Sequence, residues 1–371
     1  MIDKIVLFVR ELLLRAVALM RADAPFYFFV AAYTVASLLF LDFAHASDQA
    51  AFAPYLWRWP FVFAFLLPLI AFGADAALLA VKFRRRPKLA AKRLFSASRL
   101  AYFLSGLALL MALGVFQGDY TSVKNGLPVL RQGFVYDAAQ AHLDAVLHFG
   151  TDPWHFLYKI AGFDIVRTVV EWNYNVLWFL ICFGALFFVA TSPMAAHVRT
   201  RYLTCFAAIW VLIGNVFAGL FLSAGPAFYG MVTGDTARFG EQLAFLARGA
   251  ASPNSAASYQ QYLWTLHEQA QAGFASGISA FPSVHVALIT LNALFIYEHH
   301  RKLGLAAFGY VFFVAASSVY LAWHYAIDGY VSIPITVAIS LAAKKWAAAA
   351  ALRRKGAQQP AVPETMHAAA Q

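Results

Sequence analysis

Two short stretches, Phe281-Pro282-Ser283-Val284-His285 and His324-Tyr325-Ala326-Ile327-Asp328, hold the side chains best suited to chemistry. Both border long apolar runs, where two imidazoles and a carboxylate are costly to keep without a use for them. Asp328 follows His324 by four residues, the spacing that brings side chains together on one helical face. Ser317 lies seven residues before His324, on nearly the same stripe. A carboxylate at Nδ1 of His324 would fix the tautomer and leave Nε2 free to attack phosphorus. His285, protonated, would give its proton to the leaving oxygen. Pro282 suits the first position of a helix, and the N-terminus of that helix, with the Ser283 hydroxyl, suits phosphate oxygens. The set points to phosphoryl or phosphodiester transfer through a histidine nucleophile, with water or an alcohol entering in a second step. His-x3-Asp and a distant histidine could also supply three zinc ligands. No cysteine or further acidic residue is placed to help, and neither a metal nor an organic cofactor is expected.

The elements that must position these residues are membrane helices. The 371-residue chain is 62% hydrophobic and 12% charged, with a mean hydropathy of +0.64, whereas soluble domains carry about 25% charged residues. Apolar runs at 25–43, 60–82, 97–116, 171–191, 203–223, 283–298, 303–323 and 328–345 predict an all-α integral membrane protein of about eight transmembrane helices. The descent from His285 and the return to His324 form a helical hairpin that brings both histidines to one surface. Residues 1–24, with Lys4, Arg10, Glu11 and Arg15 among aliphatics, predict an amphipathic interfacial helix. Residues 25–346 are then the transmembrane catalytic domain, with its core motifs in 215–345, and the Ala/Gln/Pro-rich residues 347–371 a disordered cytoplasmic tail. Two extracytoplasmic segments are long. In 117–170, the stretches 136–148 and 154–160 are expected along the interface, and 225–282 reads as a mobile lid.

The net charge of +10 does not indicate nucleic acid, because the basic residues sit in short loops between spans. Arg21, Lys82 through Arg99, Arg199, Arg201, Arg301, Lys302, Lys344 and Lys345 fall on one side, which predicts cytoplasmic termini and an active site facing the exterior. Abundant alanine fits a GC-rich bacterial gene, hence an inner membrane and a periplasmic site. Cys182 and Cys205 lie inside apolar runs and read as free core thiols. Asn215 and Asn292 read as bonds between helices, and Asp75 as a group reaching the inner interface. Glu171, Asn173 and Asn175 could line a head-group pocket or serve as caps. His45, His142, His148, His155 and His267 read as interfacial.

These motifs resemble the type 2 phosphatidic acid phosphatase superfamily, whose pattern is Lys-x6-Arg-Pro, Pro-Ser-Gly-His and Ser-Arg-x5-His-x3-Asp. The second element stands here as Pro282-Ser283-Val284-His285 and the third as Ser317-Ser318-x5-His324-x3-Asp328. The resemblance implies His324 as nucleophile, His285 as proton donor and Asp328 as orienting carboxylate. Val284 replaces the glycine and Ser318 the phosphate-binding arginine. Gly225-Pro226 stands where Arg-Pro would, and Ala218 where the lysine would. Missing cations suit a phosphodiester, with one negative charge, better than a dianionic monoester. The Phe-Pro-Ser-x-His and His-x3-Asp motifs, about eight spans and the segment 223–229 are similar to the inositol phosphorylceramide synthase-like branch. Ser283, Ser317, Gly225 and Pro226 are then candidate substrate contacts. Arg131 and Arg238, with Lys124 and Arg248 behind them, are the candidate cations. The expected activity is transfer of a phospho-head group to a lipid alcohol, with membrane lipids as substrates and no nucleic acid or obligate protein partner. A lipid phosphatase and a non-catalytic lipid transporter are the rivals.

Overall fold

A computed structural model describes residues 2–358, and among them every regular element is helical. Helices α1 (Ile2–Ala22) and α2 (Ala24–Phe43) are followed by α3 (Phe52–Pro60), which continues through a π turn into α4 (Leu67–Lys82). After α5 (Pro87–Leu94) comes the long α6 (Ala97–Arg131). Two short helices, α7 (Asp137–Leu147) and α8 (Trp154–Ala161), precede α9 (Asp164–Trp172), which runs on into α10 (Trp178–Thr191). Helix α11 (Arg199–Ala208) continues through a π segment to α12 (Ala218–Leu220). Among the described residues, seven continuous segments are long and apolar enough to cross a membrane: Ala24–Phe43, Ser47–Lys82, Pro87–Arg131, Asp164–Thr191, Arg199–Leu220, Arg301–Tyr320 and Ala326–Arg353. The remaining span expected from sequence is the shorter apolar helix Val284–His299. The chain is an integral membrane protein.

Where lipid is as apolar as the side chains, packing and interhelical hydrogen bonds hold helices together, the bonds averaging roughly 0.6 kcal/mol each. Asn215 accepts from Tyr33, and Asn292 accepts from Tyr202 at 2.7 Å. At the end of the bundle where α11 begins, Arg199 pairs with Asp23, and Glu298 joins Arg201 at 2.5 Å and Lys344 at 3.5 Å. Asp75 contacts Arg99. The basic turns therefore gather at the end opposite His324.

Helix α6 is the main departure from the sequence reading. The apolar run stops at Gln117-Gly118-Asp119, yet the helix continues to Arg131. Several of its polar residues find partners inside the bundle. Asp119 accepts from Thr34 at 2.5 Å, Ser122 accepts from the Ala51 amide at 2.8 Å, and Thr121 bonds the Tyr55 hydroxyl at 2.7 Å. Hydropathy alone scores such residues as loop, although a bundle interior accommodates them.

The outer segments are also more structured than composition suggests. Residues 225–282 contain α13 (Tyr229–Thr233), α14 (Gly240–Ala247) and α15 (Ala256–Glu268). Gln242 donates to the Val319 carbonyl at 2.7 Å and Gln260 to the Leu321 carbonyl at 2.9 Å, which pins this roof to the turn before His324. Glu171 accepts from the Ala256 amide at 3.0 Å and so caps α15, while Asn173 accepts from Tyr310 at 2.9 Å. Helix α16 (Val284–His299), α17 (Arg301–Tyr320) and α18 (Ala326–Gln358) complete the fold. Helix α18 runs on through residues expected to begin an irregular tail at 347. The rest of that tail, 359–371, lies outside the described residues.

Candidate active site

Helix α17 ends in a Schellman motif. The Trp323 amide donates to the Ser318 carbonyl at 2.9 Å and the Ala322 amide to Val319 at 3.1 Å. Ala322 takes the left-handed conformation (φ 59°) usually given to glycine at that position. The chain then turns through His324 and enters α18 at Ala326. His324 and Asp328 thus do not share a helical face, as their spacing suggested. His324 sits in the turn and Asp328 in the first turn of α18. The carboxylate reaches back in the manner of a capping box, its Oδ2 accepting from the Tyr325 amide at 3.2 Å and lying 2.9 Å from His324 Nδ1. Asp328 is fully buried and His324 nearly so. An ionised carboxylate at Nδ1 accepts a hydrogen bond from Nδ1–H, so Nε2 carries a lone pair. That nitrogen lies 3.1 Å from Ser283 Oγ.

Ser283 is the N-cap of α16, its Oγ accepting from the Val286 amide. Pro282 therefore precedes the cap and is not the first helical residue. The first amides of α16, at Val284 and His285, have no acceptor within the helix, and both residues line the cavity described below. The His285 ring stacks on Tyr174 at 4.7 Å and lies 4.0 Å from Trp178, whose Nε1 donates to the His285 carbonyl at 3.1 Å. The His285 and His324 rings are 6.5 Å apart, near enough for one phosphoryl group to meet both.

Helix α7 clamps this arrangement. The Asp144 carboxylate accepts from the Ala326 and Ile327 amides, both at 3.0 Å, and so caps α18 from outside. Asp137 accepts from the Ala224 and Gly225 amides at 2.7 and 2.8 Å and from the Tyr325 hydroxyl at 2.8 Å. Burial pushes both carboxyls above their ordinary range, against the pull of these donors. Sequence reasoning placed 136–148 along the interface. The missed signal is the seven-residue spacing of the two aspartates, which puts them on one face.

Beside the histidines opens a cavity of about 1100 Å³ walled mainly by aromatic side chains, among them Tyr55, Trp59, Trp178, Phe183 and Phe274. Lys124 of α6 lines it together with His285, His324 and Asn175, and Arg58 stands at the wall over the Phe274 ring at 5.2 Å. Trp323 Nε1 and the Tyr174 hydroxyl, both on the cavity wall, have no hydrogen-bond partner. Among the described residues, no three His, Cys, Asp or Glu side chains gather as a metal site.

Several expected substrate contacts lie elsewhere. Arg238 is tied to Asp152 at 2.7 and 2.9 Å and to the Ala141 carbonyl at 2.6 Å, bonds that hold its guanidinium above the ordinary value. Arg131 is exposed over the Tyr136 ring, and Arg248 rests over Phe245. The Ser317 hydroxyl turns back to the Phe313 carbonyl at 2.7 Å, and Ser318 to Ala315. Gly225 and Pro226 form a backbone junction. At Gly225 (φ 95°) a Cβ would fall 2.8 Å from the Trp323 carbonyl oxygen, so the glycine lets this strand of chain lie against the turn before His324.

The family model for the PAP2 superfamily matches residues 139–342, more than half of the chain. The chain belongs to the PAP2 superfamily. Membership carries phosphatase or phosphotransferase activity on phosphate esters. No curated protein and no solved structure matches this PAP2 chain. Helices α1–α6, with Arg58 and Lys124, precede the matched PAP2 region, so the cavity's two cations come from outside it.

Proposed function

We propose that this PAP2 protein is a membrane phosphotransferase that moves a phospho-head group from a lipid-linked phosphate or phosphodiester to a lipid alcohol. The observation that carries the reading is the Asp328–His324 pair with Nε2 at the wall of a large aromatic cavity. Nε2 attacks phosphorus while the P–O bond to the leaving alcohol breaks, and that oxygen takes a proton from His285. Asp328 balances the charge on the phosphorylated imidazole. The incoming alcohol then gives its proton to His285, attacks phosphorus and breaks the P–N bond. Lys124, the Trp323 indole N–H and the first amides of α16 surround the phosphoryl oxygens. The exposed Trp57 and Phe61 line the cavity, which gives acyl chains a path in from the bilayer. Apolar walls disfavour water as acceptor, and the Phe-Pro-Ser-x-His motif of the inositol phosphorylceramide synthase-like branch supports transfer. The basic turns opposite His324 support cytoplasmic termini and a site on the outer, periplasmic side. Exposed Ile5, Leu7, Leu13 and Leu14 suit α1 to the membrane surface.

The test is purified protein with radiolabelled lipid phosphates and phosphodiesters and a ceramide or diacylglycerol acceptor, with His324→Ala as blank. New phospholipid above the blank is the expected product. Free phosphate alone would make the enzyme a phosphatase, and no product above the blank would favour a lipid transporter.

In that assay Asp144→Ala is expected to lower kcat by about 10–100-fold with KM little changed, because displacing the turn by less than an ångström spoils attack geometry. Asp144→Asn keeps one acceptor and should recover part of the rate. Wild-type kcat in the alanine variant would mean that α7 does not position His324.

A further inference from the structure

Two cavity groups have no part in the phosphoryl chemistry, and both lack partners. Gln117 is 3% exposed and Trp210 8%, both line the cavity, and neither Gln117 Nε2 nor Trp210 Nε1 meets an acceptor. Leaving a buried N–H unpaired costs about 1–3 kcal/mol. Two polar groups beside them on the same walls are satisfied: Trp59 Nε1 donates to the Leu110 carbonyl at 2.7 Å, and Thr121 pairs with Tyr55. An indole N–H can only donate, so the missing partner is an acceptor.

Position narrows its chemistry. Gln117, Thr121 and Lys124 follow one face of α6, and the seven residues from Gln117 to Lys124 span about 10 Å of helix. Trp210 packs edge-on against Tyr120, with ring centroids 4.5 Å apart, one turn from Gln117. Gln117 therefore lies about two turns deeper than the cation and Trp210 about one turn deeper, with Trp59 and Phe183 among the apolar residues of the same cavity. A ligand with its anion at Lys124 would place there the junction between head group and hydrocarbon. In a lipid that junction carries an ester or amide carbonyl.

We propose that Gln117 and Trp210 form a carbonyl-binding subsite that recognises the acyl linkage of the lipid whose phosphate lies at Lys124. The proposal rests on the reading of the ligand as a lipid-linked phosphate. It makes the protein selective for acyl over alkyl lipids, and the selectivity comes from α6 and the π segment after α11 rather than from the histidine motifs.

The test is equilibrium binding in detergent in a His324→Ala background, which separates recognition from turnover. The probes are diacyl phosphatidic acid, its dialkyl ether analogue of the same chain length, and ceramide 1-phosphate. At least one carbonyl lipid is expected to bind about tenfold more tightly than the ether lipid, a hydrogen-bond-sized difference, and the one favoured identifies ester or amide as the natural linkage. Gln117→Leu and Trp210→Phe should each reduce that ratio to about threefold or less. Equal binding of all three lipids, or a preference unchanged in both variants, overturns the subsite. Failure of the phosphotransferase reading would show separately, as equal turnover by wild type and His324→Ala.

Discussion

His324→Ala is expected to lower kcat by roughly 10⁶-fold, the scale seen when the nucleophile of a coupled catalytic set is removed, while the protein still folds and binds lipid. The side chain is nearly buried but bonds only Asp328 and Ser283, so truncation leaves a small polar space at the cavity wall and not a broken core. The accompanying measurement is to quench wild-type turnover of a labelled donor with denaturant and ask which residue holds the label. A phosphohistidine survives alkali and is lost in acid, and the label should be absent from His324→Ala. The line from Asp328 through His324 to Ser283, at 2.9 and 3.1 Å, also has the form of a hydroxyl nucleophile with its base. An acid-stable label on Ser283 would therefore move the nucleophile there and make His324 its base. With histidine as nucleophile, Ser283→Ala should cost no more than about tenfold, since it removes a helix cap worth about 1 kcal/mol and one phosphate contact.

The parts of the site legible in sequence are those carried by local spacing. Short motifs at the ends of a helical hairpin brought His285 and His324 to one cavity, because two antiparallel helices leave their outer ends little choice. The pairing of His324 with Asp328 was also expected, although it arises by a capping interaction in a turn and not along a helical face. What the sequence concealed depends on distant partners. Arg238 has the type and side of a phosphate ligand, but Asp152 occupies it. Asp137 and Asp144 lie in a stretch whose amphipathic pattern suits an interface, and their role depends on the distant amides of Gly225 and Ile327 that they accept from. Gln117, Thr121 and Lys124 fell in an apparent loop because a hydropathy window cannot see that Asp119 and Ser122 have partners on neighbouring helices.

Lys124 carries the second large effect. Among the described residues it has no ion-pair partner, and it is half-buried at the wall shared with both histidines. An ammonium held in an aromatic chamber without a counter-ion is costly, and a bound phosphate would relieve that cost. Ser318 and Ala218 occupy the positions where the superfamily pattern has basic residues, so in the proposed reaction the charge on phosphorus is met from elsewhere, and Lys124 of α6 is the candidate. Lys124→Met is expected to lower kcat/KM by about 100-fold, the size of effect found for removing one charge-stabilising donor from a reaction centre. The loss should be larger for a monoester, which brings two negative charges, than for a diester. Lys124→Arg keeps the charge and should recover much of the rate for both. If Lys124→Met stays within about threefold of wild type, a margin too small for such a donor, the phosphate is neutralised by another group. Arg58, the other cation on the cavity wall, would then carry the effect, and Arg58→Ala would show the 100-fold loss instead.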